Sequence, residues 1–514
     1  MHSQDCNSVK LPVLKNIFTD KIKNVSDTNE AISVESKAQR SYQHSSVEAT
    51  MDFSKRSWKE ECAVFGIWDD PEASHMTYLG LFAQQHRGQE AAGIVTLTEE
   101  GQHLRQKGPG LVGEVFSEQD LKNLKGRCAV GHVRYSTTGN NDTHNIQPLT
   151  ASLLNGPLAV AHNGNIVNER SIRNQLKQEG SIFQGTSDTE VLLHLLSKDP
   201  RNDLFECMKS SLQKLDGAFS FVVLSKDSMV IARDPRGFRP LVLGRRPHEQ
   251  GQSWVVASET CAFDLIGAEF VREVEPGEII SISKEGFVSE FYSENKKYAQ
   301  CIFEHVYFAR PDSNVFGLSV YKSRKEFGRA LAKENPVQAD LVIPVPDSGI
   351  AAALGYSEES GIPFDLGIIR NHYIGRTFIQ PTQSIRSFGV KIKLNPQSDV
   401  LKGKRVIVID DSLVRGTTSK KIIRLVRQAG AKEVHFRVAC PPTISPCYYG
   451  VDTPEKDQLI ASKHSVAQIQ EYIEADTLGY LSHEGMMKAV DSAPRGGFCS
   501  ACFTADYPAG LPEA

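Results

Sequence analysis

The C-terminal half of the sequence predicts an α/β fold on a parallel sheet, and two strand–turn–helix units carry that expectation. In the first, residues 406–409 (VIVI) form a short β-branched apolar run of the kind buried on both faces of a sheet. The run leads into an acidic pair, Asp410 and Asp411, and then into a small hydroxyl-rich turn, Arg415, Gly416, Thr417 and Thr418. The residues that follow, SKKIIRLVRQAG at 419–430, have helical spacing with Gly430 as the stop. In the second unit, LVIPVPDSGIAAALGY at 341–356 reads as a buried strand, a turn with Asp347 and Ser348, and a small-residue helix.

The 514 residues leave room for two large domains or several average ones. Lys+Arg 58 against Asp+Glu 62 gives a net charge of −4, so there is no basic field to draw nucleic acid, and small anionic substrates must be met by local groups. No apolar run is long enough to span a bilayer. Ten scattered cysteines do not make a disulfide framework, which points to a reducing compartment, the cytoplasm. Residues 1–61 differ from the rest, being polar and Ser-rich with weak periodicity, and read as a leader or propeptide. Their acids are about as frequent as their bases, which argues against a transit peptide, although a plastid location stays open if they contain one; Met51 is an alternative start.

The acidic pair stands where open α/β sheets place ligands, at the carboxyl end of a strand. Carboxylates there suit a ribose diol and a hydrated Mg²⁺. Gly416 permits close backbone approach, Thr417 and Thr418 offer hydroxyls, and a helix N-terminus awaits a phosphate. The whole string, VIDDSLVRGTTS, resembles the phosphoribosyl-pyrophosphate (PRPP) loop of type I phosphoribosyltransferases, and its wording is that of the glutamine PRPP amidotransferase family. The resemblance implies that PRPP is bound by Asp410, Asp411, Ser412, Arg415, Gly416, Thr417 and Thr418, and that Ser348, Asp410 and Asp411 hold Mg²⁺. It also implies that residues 368–394, with Arg370, Arg376, Arg386, Lys391 and Lys393, form a lid that closes over PRPP, with Arg376 touching it, and make an ammonia passage between two sites.

That family has a second active site, and its parts are present upstream. Cys62 stands directly before a strand-like run and after two acids, in KEECAVFGIWDD, and alone would be read as a buried thiol. Three strings follow it: QQHRGQEAAGI at 84–94, GHVRYSTTG at 131–139 and AHNGNIVN at 161–168, with GTSDTEVLLHL starting at Gly185. Together they resemble the glutaminase domain of N-terminal-nucleophile amidotransferases. A thiolate attacking the glutamine amide needs a base, an oxyanion site and a clamp for the charged ends of the amino acid. Removal of residues 1–61 would free the α-amine of Cys62, whose ordinary pKa near neutrality suits it as the base. By resemblance Asn163 and Gly164 form the oxyanion hole, Arg134 pairs with the substrate carboxylate, Asp188 holds its ammonium, and Arg87, near the nucleophile, belongs to the glutamine-binding set in an undefined support role. Ala63 departs from the glycine usual after the nucleophile. The string GPGLVG at 108–113 matches a dinucleotide fingerprint but lacks the buried strand and the helical pattern around it, and is read as a loop.

Cys499 and Cys502 form a CxxC unit, and Cys301 and Cys447 lie in AQCIFEHVYFARPDS and SPCYYGVD. Four such thiolates could hold zinc or a 4Fe-4S cluster. These strings resemble the cluster-binding positions of one branch of the family, which favours iron–sulfur in a structural role, with Cys440 a rival ligand. Cys128, Cys207 and Cys261 are read as ordinary buried thiols.

The expected architecture is therefore a leader (1–61), a four-layer αββα glutaminase domain (62–295), an α/β phosphoribosyltransferase domain (296–475) and a cysteine-bearing tail (476–514). The resemblance implies an enzyme that hydrolyses glutamine at Cys62 and passes ammonia to C1 of PRPP, making 5-phosphoribosylamine at the start of purine synthesis. It further implies inhibition by purine nucleotides and a homotetramer. Another amidotransferase, such as glucosamine-phosphate synthase or asparagine synthetase, would share the Cys62 half but lack the PRPP loop. A non-catalytic regulatory protein on the same scaffold is the third reading.

Overall fold

Two antiparallel sheets face each other in the N-terminal half of the computed structural model, which describes residues 60–136, 143–154, 156–201, 203–294, 297–372 and 393–512. Their strands are β1 (Glu60–Trp68), β2 (Ala91–Leu97), β3 (His103–Pro109), β4 (Cys128–Ser136), β5 (Leu149–Leu153), β6 (Gly156–Ile166), β7 (Gly217–Ser225), β8 (Ser228–Arg233), β9 (Val242–His248), β10 (Gly251–Ala257), β11 (Glu269–Glu273), β12 (Glu278–Ser283) and β13 (Gly286–Phe291). One sheet runs β11-β9-β10-β1-β4-β2-β3 and the other β13-β12-β8-β7-β6-β5.

The period-2 rule explains how the layers stack. Val64 and Trp68 of β1 share a buried layer with Ala159 and Ala161 of β6 and with Val222 and Leu224 of β7. The alternate residues Ala63, Phe65 and Ile67 face the other way, onto the helices Ala73–Ala83 and Cys261–Ile266. Phe219, Phe221 and Val223 likewise turn their backs on the inter-sheet layer and pack against Glu190–Lys198 and Leu204–Leu212. The result is the four-layer αββα order. Each large apolar side chain so buried contributes about 1.5–3 kcal/mol.

In the second half, four parallel strands lie in the order Leu341–Pro344, Arg405–Asp410, Glu433–Val438, Thr477–Tyr480. Ile343 opposes Val408, and Pro344 opposes Ile409. The 345–349 turn and Asp410 therefore leave the sheet at the same edge, and Val345 N donates to Ile409 O at 2.8 Å. Helices Val320–Glu334, Ile350–Ser360 and Thr417–Gln428 close the core, which includes Phe327, Tyr356, Ile407 and Ile423. Gly416 caps the last of these helices in the left-handed region (φ 72°). Gly430 follows its end at φ 98°, as a stop should.

Four expectations need adjustment. Cys62 lies inside β1 and not before it, because Glu60 and Glu61 already pair with Ser136 and Tyr135 of β4. The GPGLVG string is not all loop: Gly108 and Pro109 end β3, a partly exposed edge strand, and a four-residue helix, Val112–Val115, begins before Gly113. The parallel sheet extends past residue 475, where the tail was expected to begin, since Thr477–Tyr480 is its fourth strand. Of the lid residues, Arg376, Arg386 and Lys391 lie outside the described residues; Ile368–Arg370 pairs antiparallel with Leu394–Pro396.

Gly164 is a tightly specified backbone position. It has φ 148°, and a Cβ there would stand 2.0 Å from Ala218 O on the neighbouring β7. Gly164→Ala is expected to cost at least about 2 kcal/mol in chemical denaturation, and a fully tolerated alanine would contradict this placement of the β6 main chain.

Candidate active sites

The first site grows from the ends of β1, β4 and β6. Cys62 and Arg134 are directly opposed in the antiparallel pair, so their side chains leave the same face side by side. Cys62 has the facing of Val64 and Trp68, and Asn163 that of Ala159 and Ala161, so both point into the space between the sheets. Cys62 is buried. The Asn163 amide is fully buried, with one long contact, Nδ2 to Ser258 Oγ at 3.4 Å, and no partner for Oδ1 among the described residues. Gly164 follows it, close against Gly450, and Asn165 Nδ2 donates to Tyr448 O at 2.8 Å. Asp188 is tied to the same strand, since its Oδ2 accepts from Ile166 N at 2.9 Å. Burial opposes its charge, but His162 beside it and main-chain donors hold the carboxyl below its ordinary value. The turn that carries it is fixed by Asn145, whose Oδ1 accepts from Thr186 N and Ser187 N at 2.8 and 3.1 Å.

Behind Cys62 lies a group of four buried charges. Arg87 Nε donates to Cys62 O at 3.1 Å. Its Nη1 and Nη2 reach Glu304 at 2.9 and 2.8 Å, and Nη1 also meets Glu259 Oε1 at 2.5 Å. Arg239 Nη2 lies 2.7 Å from Glu304 Oε1, without hydrogen-bond alignment. All four side chains have zero exposure. Burial would strip Arg87 of its charge, but Glu304 and Glu259 hold its pKa above the ordinary range. Glu259 also accepts from His86 (2.7 Å), Ser313 Oγ (2.7 Å) and Arg310 N (2.9 Å). Arg87, expected in the glutamine-binding set, has no exposed surface and grips the Cys62 main chain instead.

The second site stands at the carboxyl edge of the parallel sheet. Asp410 and Asp411 are nearly buried; Asp410 Oδ1 accepts from Asp411 N at 3.0 Å and Asp411 Oδ1 from Ser412 Oγ at 2.6 Å. Burial, and for Asp410 the neighbouring Asp411, push both pKa values up, while Ser348, Ser412 and Arg324 oppose the rise at Asp411. Ser348 therefore meets Asp411, and together with Asp410 the two supply oxygen donors of the kind Mg²⁺ takes. Arg415 extends to Gln458 Oε1 at 2.8 Å, and Thr417 and Thr418 open the helix behind Gly416. A Cβ on Gly416 would come within 3.1 Å of Ile460 and Tyr472, so the turn needs glycine twice over. Asp347 pairs with Arg370 at 2.6 Å.

Cys301, Cys447, Cys499 and Cys502 are brought together from three segments. Cys301 and Cys499 are in register on parallel strands, Gln300–Cys301 and Phe498–Cys499, and each of the four thiols interacts electrostatically with the other three. Burial pushes Cys301 up to about 12, with Cys447 adding to the rise against Arg239. Cys440 is buried near Asp411 and Asp410 and interacts electrostatically with Cys502. Among the described residues no group of three or more His, Cys, Asp or Glu side chains is arranged to hold a metal ion.

Comparison with known proteins gives a match for each half of the chain. A profile described as a glutamine amidotransferase domain matches residues 132–264, and one described as a phosphoribosyl transferase domain matches 324–462. A relative named chloroplastic amidophosphoribosyltransferase 1, from Arabidopsis thaliana, is 53% identical over 450 residues, covering 88% of this chain and 79% of the relative. The amidophosphoribosyltransferase of Bacillus subtilis is 50% identical over 453 residues, covering 87% and 94%. The chain belongs to the amidophosphoribosyltransferase family. A solved structure of glutamine PRPP amidotransferase from B. subtilis, complexed with ADP and GMP, superposes with a TM-score of 0.82 at 48% identity, covering 88% of this chain and 99% of that one.

The two acids predict a measurable trade-off. A carboxyl whose folded pKa is raised weakens the fold as pH climbs past its unfolded value, near 3.8, because the folded state must then hold a charge it disfavours. Asp410→Asn is therefore expected to raise the Tm of ligand-free protein at pH 7.5 by about 2–4 °C, the response to ~1 kcal/mol in a domain of this size. The gain should vanish near pH 4, and Mg²⁺-dependent PRPP binding by the variant should fall at least about tenfold in titration calorimetry. A variant less stable than the parent at pH 7.5 would contradict the assigned electrostatics.

Proposed function

We infer that the chain is an amidophosphoribosyltransferase: it transfers the amide nitrogen of glutamine to C1 of PRPP, giving 5-phosphoribosylamine, glutamate and pyrophosphate in the first step of purine biosynthesis. One observation carries this reading. A full set of glutamine-site residues and a full PRPP loop stand on two different folds within one chain whose relatives match it across both.

At the first site, removal of residues 1–61 would give Cys62 a free α-amine, which takes the thiol proton. The thiolate then attacks the glutamine amide carbon. Asn163 Nδ2 and the Gly164 N–H receive the oxyanion, Arg134 the α-carboxylate and Asp188 the α-ammonium. The Cys62 ammonium returns its proton as the C–N bond breaks, releasing ammonia, and water cleaves the thioester to glutamate. At the second site, ammonia attacks C1 of PRPP and pyrophosphate leaves. The ribose hydroxyls fit Asp410 and Asp411, and the 5-phosphate fits the amides and hydroxyls of Ser412, Arg415, Gly416, Thr417 and Thr418. Mg²⁺ held by Ser348, Asp410 and Asp411 would supply charge for the departing pyrophosphate. Arg376, outside the described residues, is assigned to PRPP.

The converging thiols of Cys301, Cys447, Cys499 and Cys502 fit the donor set of a 4Fe-4S cluster, which would cross-link residues 499–502 to the interior. Anaerobically purified protein should carry about four iron and four labile sulfide per chain; zinc without sulfide would overturn the assignment. Purine nucleotides are the proposed inhibitors, in line with the ADP and GMP of the B. subtilis structure, and a homotetramer is the proposed assembly. Among the described residues no helix is long and apolar enough to cross a membrane. The proposed location is the cytoplasm, with the plastid stroma, where plant relatives are named, as the alternative. N-terminal sequencing of mature protein separates the two and reports the cleavage before Cys62.

Two sites on one chain predict a clean split. Cys62→Ser should lose glutamine-dependent activity at least about a thousandfold while keeping ammonia-dependent synthesis within about twofold. Equal loss of both would refute separate sites.

A further inference from the structure

We propose that Glu304, seconded by Glu259, is a positioning residue for glutamine hydrolysis: acting through Arg87, it sets the main chain of Cys62, so the C-terminal half supplies a charge that the N-terminal site needs. The inference rests on Cys62 being the nucleophile.

The contact to be maintained is the bond from Arg87 Nε to Cys62 O, in a site with no exposed surface. It acts on the residue that must present both a thiol and an amine, where errors of about 1 Å are costly. Arg87 cannot hold this position unaided, because its guanidinium is wholly desolvated and needs opposite charge to stay ionised. Glu304 meets it with both oxygens, in the fork geometry that fixes direction as well as charge. The Phe308 ring closes over the guanidinium, 4.3 Å from Cζ.

Glu304 and Phe308 bound a single π-helical turn, Glu304–Phe308, outside the sandwich that carries Cys62. That turn is clamped by buried Arg324 of the Val320–Glu334 helix, which donates to His305 O at 2.9 Å and to Ala309 O at 2.8 Å. The path from the second fold to the nucleophile is therefore a short series of hydrogen bonds with no solvent-exposed link.

Stability alone does not account for such a group. Buried ion pairs are frequently replaced by apolar side chains at no loss, since desolvation offsets the Coulomb gain. Four dry charges that end on the carbonyl of Cys62 are better explained by where they aim it. None of the groups assigned to glutamine binding, Arg134 and Asp188, belongs to this network. Disturbing it should thus lower turnover and leave substrate affinity.

The test is Glu304→Gln in the processed holoenzyme, with Glu304→Asp as the charge-preserving control. Glutamine-dependent kcat should fall about ten- to a hundredfold, with KM for glutamine and the ammonia-dependent rate each within about twofold. Alkylation of Cys62 by a glutamine-like chloroketone, read by mass spectrometry, should slow in parallel, and Glu304→Asp should recover part of both. If Glu304→Gln does not accumulate folded, Arg239→Met/Glu304→Gln removes one charge of each sign and should show the same split. Unchanged kcat, a rise in KM alone, or equal loss with glutamine and ammonia would overturn the proposal. Cys62→Ser run beside it separates the premises: if that variant still hydrolyses glutamine, the nucleophile is wrongly assigned; if it is dead while Glu304→Gln is normal, only the positioning role fails.

Discussion

The guanidinium of Arg87 is the constraint on which the two halves of this molecule depend. It is fully buried, so it must be neutralised at short range, and the two carboxylates that do so come from different parts of the chain. Glu259 belongs to the sandwich, just after β10, and Glu304 to the turn that leads into the parallel-sheet domain. Separating the halves would strand Arg87 and Arg239 beside a single carboxylate in a dry cavity, and breaking such a pair costs about 3–5 kcal/mol. Glu259 spreads the same constraint further, taking the Arg310 main chain and the Ser313 hydroxyl, so the linker between folds is set at the back of the nucleophile.

The second site shows the opposite balance. Asp410 and Asp411 are nearly as secluded as the Arg87 group, yet they stand side by side where an opposite charge is wanted, while Ser348, Ser412 and Arg324 offer relief at Asp411. A compensated network suits a part that must not move. An uncompensated pair suits a part that must bind, because an incoming cation collects the electrostatic energy that folding left unsatisfied. Arg324 belongs to both arrangements, being clamped to the turn of Glu304 and electrostatically coupled to Asp411.

What could be read from the sequence were the features that local chemistry encodes. The VIVI strand, the acids at its end, Gly416 in the turn and Gly430 as a stop follow from periodicity and turn preferences over about two dozen residues, and all reappear. The glutamine site was legible through short strings, each weak alone and specific together. The four-charge network was not legible, because Glu259 and Glu304 lie 172 and 217 residues from Arg87 and neither stands in a motif of its own. Its one trace was the string FEHVYFARPDS, quoted for the cysteine before it and silent about the glutamate. One edge differs for a local reason: Cys62, expected directly before a strand, lies inside it because Glu60 and Glu61, acids of a type depleted in strands, pair with β4 at the end of the ladder.

The cysteines tie these threads together by position. Cys301 lies three residues before Glu304. Cys447 lies just before the segment whose Tyr448 carbonyl holds Asn165 and whose Gly450 packs on Gly164. The two segments that enter the first site from the C-terminal half are thus the same two that meet the Cys499 and Cys502 strand and turn from the chain's end. Residues 497–502 accordingly do more than fill a surface. Gly497 O accepts from Gln300 N and Cys499 O from Ile302 N, while Cys502 O receives Ile444 N and Ser445 N, so the last strand and the helical turn after it brace one segment each. A long chain usually closes an active site with the residues that do the chemistry. Here the strand of Asn163 and Gly164 and the residue Cys62 are each backed by a segment of the other fold, and those segments are held in turn by residues 497–502.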